Sequence, residues 1–184
     1  MLVIIDMIED FVNKDGALYV PGAENLIGPI NERLKWHMNR GSIVIILTDY
    51  HKPTDAEFKR FPKHAVEYTE GARIIAELDT EELFSRYWRR GLYHHIPKTR
   101  YNGFYGTNLE EILVNEYRPW KPRPIEVCGV CTSICVMDTI GGLACMDYNI
   151  TVHEDCVADL TPEDHNYALA RMERLYGVNI VRRK

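Results

Sequence analysis

The sequence predicts a single α/β domain over residues 1–184, built on a mainly parallel six-stranded sheet with helices on both faces. Short apolar segments alternate along the chain with longer segments whose apolar residues recur at helical spacing. The apolar segments are nearly continuous, which is typical of strands buried on both faces of a parallel sheet. A chain of 184 residues is long enough to enclose one well-covered core.

Six segments are predicted as strands because each is short, apolar and bounded by turn residues or charges. The first ends at Asp6, and the second ends at the polar group Thr48–His51. The segments are Leu2–Ile5, Ile43–Leu47, Gly91–Ile96, Ile125–Val130, Ile150–Glu154 and Val178–Val181.

Helices are predicted where apolar residues recur every three or four positions, and two of the four predicted helices are bounded by a capping or stop residue. Thr161 is placed as an N-cap before Pro162, and Gly41 and Gly177 as stops. Residues 52–70 form a long, charged, irregular loop, a kind of segment that is usually functional or disordered. The predicted helices are Glu24–Asn39, Leu109–Tyr117, Cys135–Met146 and Pro162–Tyr176.

Composition narrows the class of protein. The formal net charge of −5 gives no electrostatic basis for binding nucleic acid or an anionic membrane, and no apolar run approaches a membrane span. The first residues become acidic too soon for a signal peptide. Five cysteines without such a signal indicate reduced thiols in the cytoplasm.

Chemically active residues follow four of the predicted strands. Asp6, Asp49 with His51, Lys98, and the segment Cys131–Cys135 all come directly after a strand. Ligands of parallel sheets bind beyond the carboxyl ends of the strands, so these residues are expected at one rim. Asp6 or Lys98 alone would fit a capping or surface role. Together with Cys135 they supply a base, a cation and a nucleophile.

The thiol segment runs from a strand through a turn into a helix. Cys135 lies in the first helical turn, where the helix dipole and free N–H groups would lower its pKa and could hold an oxyanion. Two alternatives remain open at this point. The spacing Cys128-x2-Cys131-x3-Cys135 could bind zinc or an iron–sulfur cluster, and Cys128 with Cys131 could form a redox pair.

A second group of residues suits a metal. Asp49 and His51, two residues apart in extended chain, project to the same side, and His64 follows in the long loop. An Asp/His/His set suits Zn²⁺, Fe²⁺ or Mn²⁺. From spacing alone, two surface histidines on a loop explain the pattern equally well.

Short segments spread over nearly the whole chain carry a family resemblance. They are Ile4–Phe11, Gly16–Leu18, Val20–Glu24, Thr48–His51, Phe61–Val66, Gly71–Ala72, Pro97–Phe104, Gly129–Val136, Asp155–Ala158 and Pro162–His165. Together they resemble the nicotinamidases, a branch of the isochorismatase-like cysteine hydrolases, which have Rossmann-like layering. The main departures are Cys131 for a usual alanine or leucine, Ala65 for a frequent cysteine, and Asn102–Phe104 for Ser-Ala-Phe.

The resemblance implies roles for individual residues. Asp6, Lys98 and Cys135 would be the catalytic triad. A cis peptide at Val130–Cys131 would turn the Cys131 N–H into an oxyanion hole beside that of Cys135. The remaining implied residues are Phe11, Phe61 and Tyr101 around the substrate ring and Asp49, His51, His64 and Glu57 around the metal.

The same resemblance implies hydrolysis of nicotinamide to nicotinate and ammonia, a step of NAD salvage. One divalent transition metal, zinc or else iron or manganese, would be the cofactor, and the chain could form a homo-oligomer. The metal residues favour this branch over the isochorismatase and carbamoyl-amide branches. The alternatives are a related hydrolase of another small amide or ester, a thiol redox or metal-cluster protein, and a non-catalytic binding relative.

Overall fold

The computed structural model describes residues 1–78, 80, 85, 87–116 and 124–182. Among these residues, six parallel strands form one sheet with the order β3-β2-β1-β4-β5-β6. The strands are β1 (Leu2–Ile5), β2 (Val44–Asp49), β3 (Tyr93–Lys98), β4 (Ile125–Val130), β5 (Ile150–Ala158) and β6 (Asn179–Val181).

The strand order places β1 and β4 side by side at the centre of the sheet. The chain runs outward from β1 to β3, then crosses back and runs outward from β4 to β6. Ile5 pairs with Leu47 on one side and with Gly129 on the other, so three strands end together. A reversal of strand order at the carboxyl ends is where doubly wound sheets bind ligands.

The helices are α1 (Glu9–Val12), α2 (Ile27–Met38), α3 (Leu109–Glu116), α4 (Met137–Cys145) and α5 (Pro162–Tyr176). One turn of π-helix, Thr132–Val136, leads into α4. The 3₁₀ turns are Ala23–Leu26, Ala56–Lys59, Glu70–Ala72 and Trp88–Arg90. The cap of α5 is as predicted, since the Asp164 N–H donates to Thr161 Oγ1 and Gly177 ends the helix with φ +66°.

Both faces of the sheet are covered, which confirms the predicted α/β layering. Leu2 and Ile4 of β1 point into one apolar core together with Ile30 and Leu34 of α2. The alternate residues of the same strand, Val3 and Ile5, point into a second core. That core includes Ile140 and Leu143 of α4 and Leu169 and Met172 of α5.

Several predicted boundaries are wrong by a few residues, and two of the shifts concern the rim. Strands β2 and β3 stay paired until Asp49 faces Lys98, so these residues end strands instead of following them. β5 also continues to Ala158, and α4 begins at Met137 after the π turn that contains Cys135. The predicted helix end at Tyr117 lies outside the described residues. Within the described part of the chain, no helix has the length and apolarity needed to cross a membrane.

Candidate active site

Asp6 lies at the end of β1, fully buried beneath the rim. Its backbone adopts a left-handed conformation with φ +57°, which an aspartate tolerates better than most residues. The Asp49 N–H donates to Asp6 Oδ1 at 2.7 Å, and the Asp6 N–H donates to the Leu47 carbonyl at 2.8 Å. The ends of β1 and β2 therefore fix the carboxyl group in place.

Lys98 connects the other members of the predicted triad. Its Nζ lies 2.8 Å from Asp6 Oδ2, donates to Asp49 Oδ1 at 2.5 Å, and lies 3.4 Å from Cys135 Sγ. Burial lowers the pKa of Lys98, but the carboxylates of Asp49 and Asp6 outweigh it and raise that pKa well above its usual range. The site thus holds a permanent cation next to the sulfur.

The pKa of the Cys135 thiol is shifted in the opposite direction from the one that the sequence predicts. Burial raises the pKa of the thiol well above its usual value, although Lys98 acts to lower it. Burial and the Asp49 carboxylate raise the pKa of Asp6 to about 6. The upward shift of the Cys135 pKa is opposite to the lowered pKa expected at a helix start, because removal of the sulfur from water outweighs the effect of helix position.

The turn before Cys135 has the backbone that the resemblance implies. The Val130–Cys131 peptide is cis, and the Cys131 carbonyl accepts hydrogen bonds from the N–H groups of Ile134 and Val136 at 3.1 and 3.2 Å. Gly129 precedes this turn with φ +115°, and a Cβ there would lie 1.9 Å from the Ile5 carbonyl oxygen. Only glycine therefore allows β4 to pass so close to β1 at the rim. The assignment of an oxyanion hole to Cys131 and Cys135 stays a prediction.

The alternative readings of the cysteines gain no support from the geometry. Cys128 lies fully buried on β4, and its hydrogen bond with Cys156 and its burial raise its pKa well above the usual range. All five cysteines are free. Within the described residues, Cys128 and Cys131 belong to neither of the groups of side chains whose donor atoms converge as metal ligands would.

Four buried side chains converge where the second strand ends. Asp49, His51, Glu57 and His64 each offer a ligand atom, and these atoms all lie within 4.8 Å of one another. Asp49 Oδ2 is 3.6 Å from His51 Nε2 and 3.9 Å from His64 Nε2, and Glu57 Oε1 is 3.7 Å from His64 Nε2. The structure thus brings together all four residues of the predicted metal set.

The buried donors fit a divalent transition metal. His51 Nε2 and Glu57 Oε2 are buried and have no hydrogen-bond partner. Buried polar groups without partners are costly, and a cation placed among them would satisfy them. Two imidazole nitrogens with two carboxylates suit zinc, iron or manganese. Asp49 is common to both halves of the site, since its Oδ1 faces Lys98 and its Oδ2 faces the histidines.

The loop that carries His64 is held from behind by Asp10, a residue that sequence reasoning did not single out. Asp10 Oδ2 accepts the Ala65 N–H at 2.7 Å, and Asp10 Oδ1 accepts the Ala17 N–H at 3.1 Å. A Cβ on Gly71 would lie only 2.2 Å from the same carboxylate. His64 Nδ1 lies 2.7 Å from the Pro62 carbonyl, which leaves Nε2 for the donor set. The sequence could have identified Asp10, because it lies next to Phe11 in a segment that carries the family resemblance.

A narrow cavity joins the sulfur to the metal donors. The predicted ring-binding residues Phe11, Phe61 and Tyr101 all line it. Sequence reasoning did not single out the other apolar lining residues, Leu18, Ile134 and Leu160. Leu18 and Ile134 lie in segments that carry the family resemblance. The lining consists of Phe11, Leu18, Asp49, Glu57, Phe61, His64, Tyr101, Cys131, Ile134, Cys135 and Leu160. A larger open groove of about 830 Å³ beside β3 and α3 contains none of the triad or metal residues.

The comparisons with known proteins identify the family. The family model of the isochorismatase domain matches residues 1–183. This chain belongs to the isochorismatase family. The family's hydrolases therefore provide the setting in which the triad, the buried donors and the cavity are interpreted.

Solved structures of similar proteins cover almost the whole chain. The nicotinamidase/pyrazinamidase PncA from Bacillus subtilis has a TM-score of 0.87 at 27% identity, over 98% of this chain and 97% of its own. The pyrazinamidase of Pyrococcus horikoshii, solved in complex with zinc, has a TM-score of 0.84 at 27% identity, over 99% and 98%. The N-carbamoylsarcosine amidase from Thermoplasma acidophilum has a TM-score of 0.81 at 28% identity, over 98% and 94%.

Proposed function

We propose that this isochorismatase-family protein is a nicotinamidase that hydrolyses nicotinamide to nicotinate and ammonia through a thioester on Cys135. The observation that carries the proposal is the shared cavity. Cys135 lines it together with Asp49, Glu57 and His64 of the metal donor set. A substrate that spans from metal to sulfur needs a metal-binding atom and a carboxamide on one small, rigid frame, as nicotinamide has.

The remaining wall favours a neutral aromatic substrate. Phe11, Phe61 and Tyr101 supply aromatic surface, and the described lining contains no lysine or arginine. An anionic substrate such as N-carbamoylsarcosine would therefore meet no protein cation in the wall. Aromatic walls with a few placed polar groups are typical of sites for small planar ligands.

The proposed role of the metal is to bind and orient the substrate. Asp49, His51, Glu57 and His64 would hold one divalent ion. When bound, it supplies a Lewis-acid position for the ring nitrogen and does not serve to activate the sulfur. Zinc is the first choice, with iron or manganese as alternatives, because the donor set is mixed nitrogen and oxygen.

The triad performs the chemistry. Asp6 takes the thiol proton as the Cys135 sulfur attacks the amide carbonyl, and Lys98 stabilises the charges through its contacts with both residues. The backbone N–H groups of Cys131 and Cys135 are proposed to hold the oxyanion. Asp6 then gives its proton to the departing ammonia, which leaves a nicotinoyl thioester. A water molecule deprotonated by Asp6 hydrolyses that thioester and restores the thiol.

Ammonia release from a panel of amides tests the proposal. The panel contains nicotinamide, benzamide and N-carbamoylsarcosine, with the Cys135→Ala variant as the blank. We expect nicotinamide to have the highest kcat/KM, by about tenfold or more over benzamide, since about 1.4 kcal/mol of ring-nitrogen binding suffices for that factor. A preference for N-carbamoylsarcosine would assign the protein to the carbamoyl-amide branch instead.

A further inference from the structure

We propose that Asp55 and Arg100 form a positioning pair for the metal site, in which Asp55 aligns His51 and Glu57 and Arg100 holds Asp55. The inference rests on the metal site used in the proposed function but needs no particular substrate. Neither residue belongs to the converging donor set or to the cavity lining. Both would therefore act through the ligands and not on the metal itself.

The contacts of Asp55 reach two of the four donors. Its Oδ1 accepts the backbone N–H of Glu57 at 2.9 Å, which starts the 3₁₀ turn that carries Glu57 into the site. Its Oδ2 lies 3.3 Å from His51 Nδ1, an ion-pair distance without the alignment of a hydrogen bond. A carboxylate behind the Nδ1 of a ligating histidine selects the tautomer that leaves Nε2 for the metal. His51 Nε2 is the nitrogen that lies nearest to Asp49 Oδ2, at 3.6 Å.

Arg100 fixes the carboxylate that makes these contacts. One guanidinium nitrogen lies 3.0 and 3.1 Å from the two oxygens of Asp55. Arg100 lies two residues after Lys98, which is the last residue of β3. The pair thus joins the strand that delivers the triad lysine to the loop that delivers the metal ligands. The Asp55 side chain is only 9% exposed, whereas that of Arg100 is 36% exposed.

This difference in burial sets the expected order of effects. Asp55→Asn leaves a single acceptor oxygen, and its NH₂ group would face a donor N–H of Glu57, His51 or Arg100. Arg100→Ala removes a partly exposed cation and leaves Asp55 with its other two contacts. The loss of metal affinity should therefore be larger for Asp55→Asn than for Arg100→Ala, and Arg100→Lys should recover part of the Arg100→Ala loss.

The test is a competition titration of the metal-free protein with Zn²⁺ against a chromogenic chelator. Asp55→Asn is expected to weaken zinc binding by about 10- to 100-fold, the range found for residues behind metal ligands. The control is Arg182→Ala, which removes another arginine–carboxylate pair, with Glu173, at 2.8 and 3.1 Å. Arg182→Ala should bind zinc within about twofold of wild type, a difference well below 1 kcal/mol. A thermal melt of each metal-free variant checks that the fold is retained.

A steady-state comparison gives a second readout. Asp55→Asn should raise KM for nicotinamide more than it lowers kcat, because the metal's proposed role is binding. Zinc affinity of both Asp55→Asn and Arg100→Ala within twofold of wild type would overturn the inference, as would an equal loss in Arg182→Ala or a wild-type protein that binds no zinc. A wild-type protein that binds zinc but does not hydrolyse nicotinamide would overturn only the proposed function.

Discussion

Two clusters of buried or half-buried charged side chains lie at opposite ends of the strands of the same sheet. We call the side of the sheet at the amino ends of the strands the amino edge, and the side at their carboxyl ends the carboxyl edge. Toward the amino edge, Glu126 of β4 accepts hydrogen bonds from two Arg33 nitrogens at 2.7 Å each. His37 Nε2 and His153 Nε2 lie 3.3 and 3.4 Å from the same carboxylate. There, one acidic group is surrounded by a cation and two imidazoles.

The carboxyl edge holds more acids for the same number of basic groups. Asp6, Asp49 and Glu57 lie around the single ammonium of Lys98 and the imidazoles of His51 and His64. The pKa values of Glu126 and Asp6 are shifted in opposite directions, whereas that of Asp49 is lowered like that of Glu126. Burial acts to raise the pKa of Glu126, but His153, His37 and Arg33 lower it far below its usual range. Burial and Asp49 instead raise the pKa of Asp6 to about 6.

On the proposed mechanism, the difference separates a structural cluster from a functional one. A carboxylate whose charged form is well paired contributes to folding and takes no part in proton transfer. A carboxylate held close to neutral pH beside a thiol can accept and return a proton. The presence of buried histidines and acids does not distinguish the two edges. The balance of charges around each acid does.

The largest expected effect is the loss of turnover in Cys135→Ala. Removal of a nucleophile that acts with its base typically costs about 10⁶-fold in kcat. Cys131→Ala should retain much of the wild-type rate, because the role proposed for Cys131 uses its backbone. Steady-state ammonia release from both variants makes the comparison. An active Cys135→Ala with an inactive Cys131→Ala would show that the wrong sulfur is assigned.

The next effect contrasts the two buried acids. Asp6→Asn should lower kcat by about 10²- to 10⁴-fold, since an amide cannot accept the thiol proton. Glu126→Gln is the matched control and should leave kcat close to that of wild type. Circular dichroism checks that Asp6→Asn folds. Equal losses of kcat in Asp6→Asn and Glu126→Gln would contradict the proposed functional difference between the two clusters.

A smaller effect is expected when the histidines of the two edges are compared. His51→Ala should raise KM for nicotinamide by about 10- to 100-fold, with a lesser change in kcat, because it removes a metal ligand. His153→Ala should leave KM unchanged. With benzamide, which lacks the ring nitrogen, the His51→Ala effect should largely disappear. A kcat loss equal for both amides would instead place the metal in the chemical step.

The smallest effect concerns stability at the amino edge. Glu126→Gln should lower the free energy of unfolding by about 1.5–3 kcal/mol at neutral pH, the range for hydrogen bonds to a charged group. Because the folded-state pKa of Glu126 is depressed below its usual 4.5, its contribution is complete above that pH and is lost as the pH falls further. The difference in urea unfolding between wild type and variant should therefore begin to narrow below about pH 4.5 and keep narrowing as the pH falls toward the depressed folded-state pKa. A constant difference down to the lowest pH at which the protein folds would contradict this account.

The sequence was a good guide to the fold because its strands are short and continuously apolar. β1 and β4 begin and end where predicted. Errors occurred where a strand continues into polar residues. Asp49 and Lys98 still pair across β2 and β3, and the backbone pairing that extends these strands leaves no apolar signal in the sequence. A hydrophobic pattern in the sequence indicates where apolar side chains are buried. It does not detect the end of a strand that carries buried charged side chains.

The site residues were identified by type and position, but their interactions were not. The sequence indicated that Asp49 binds a metal, yet the contact of its other oxygen with Lys98 depends on the strand register. The upward shift of the Cys135 pKa was missed because helix position is visible in a sequence, whereas full burial is not. Asp10 and Arg100 were overlooked because each contacts a residue distant in the chain, Ala65 and Asp55 respectively. Asp55 was overlooked although it lies only four residues after His51.

The most direct test of the central claim is the metal content of the purified protein, measured by elemental analysis together with nicotinamidase activity. The samples are wild type, His51→Ala and His153→Ala. The account predicts about one transition-metal ion per chain in wild type and His153→Ala, and a clear loss in His51→Ala. A wild-type protein that is free of metal and fully active on nicotinamide would contradict it.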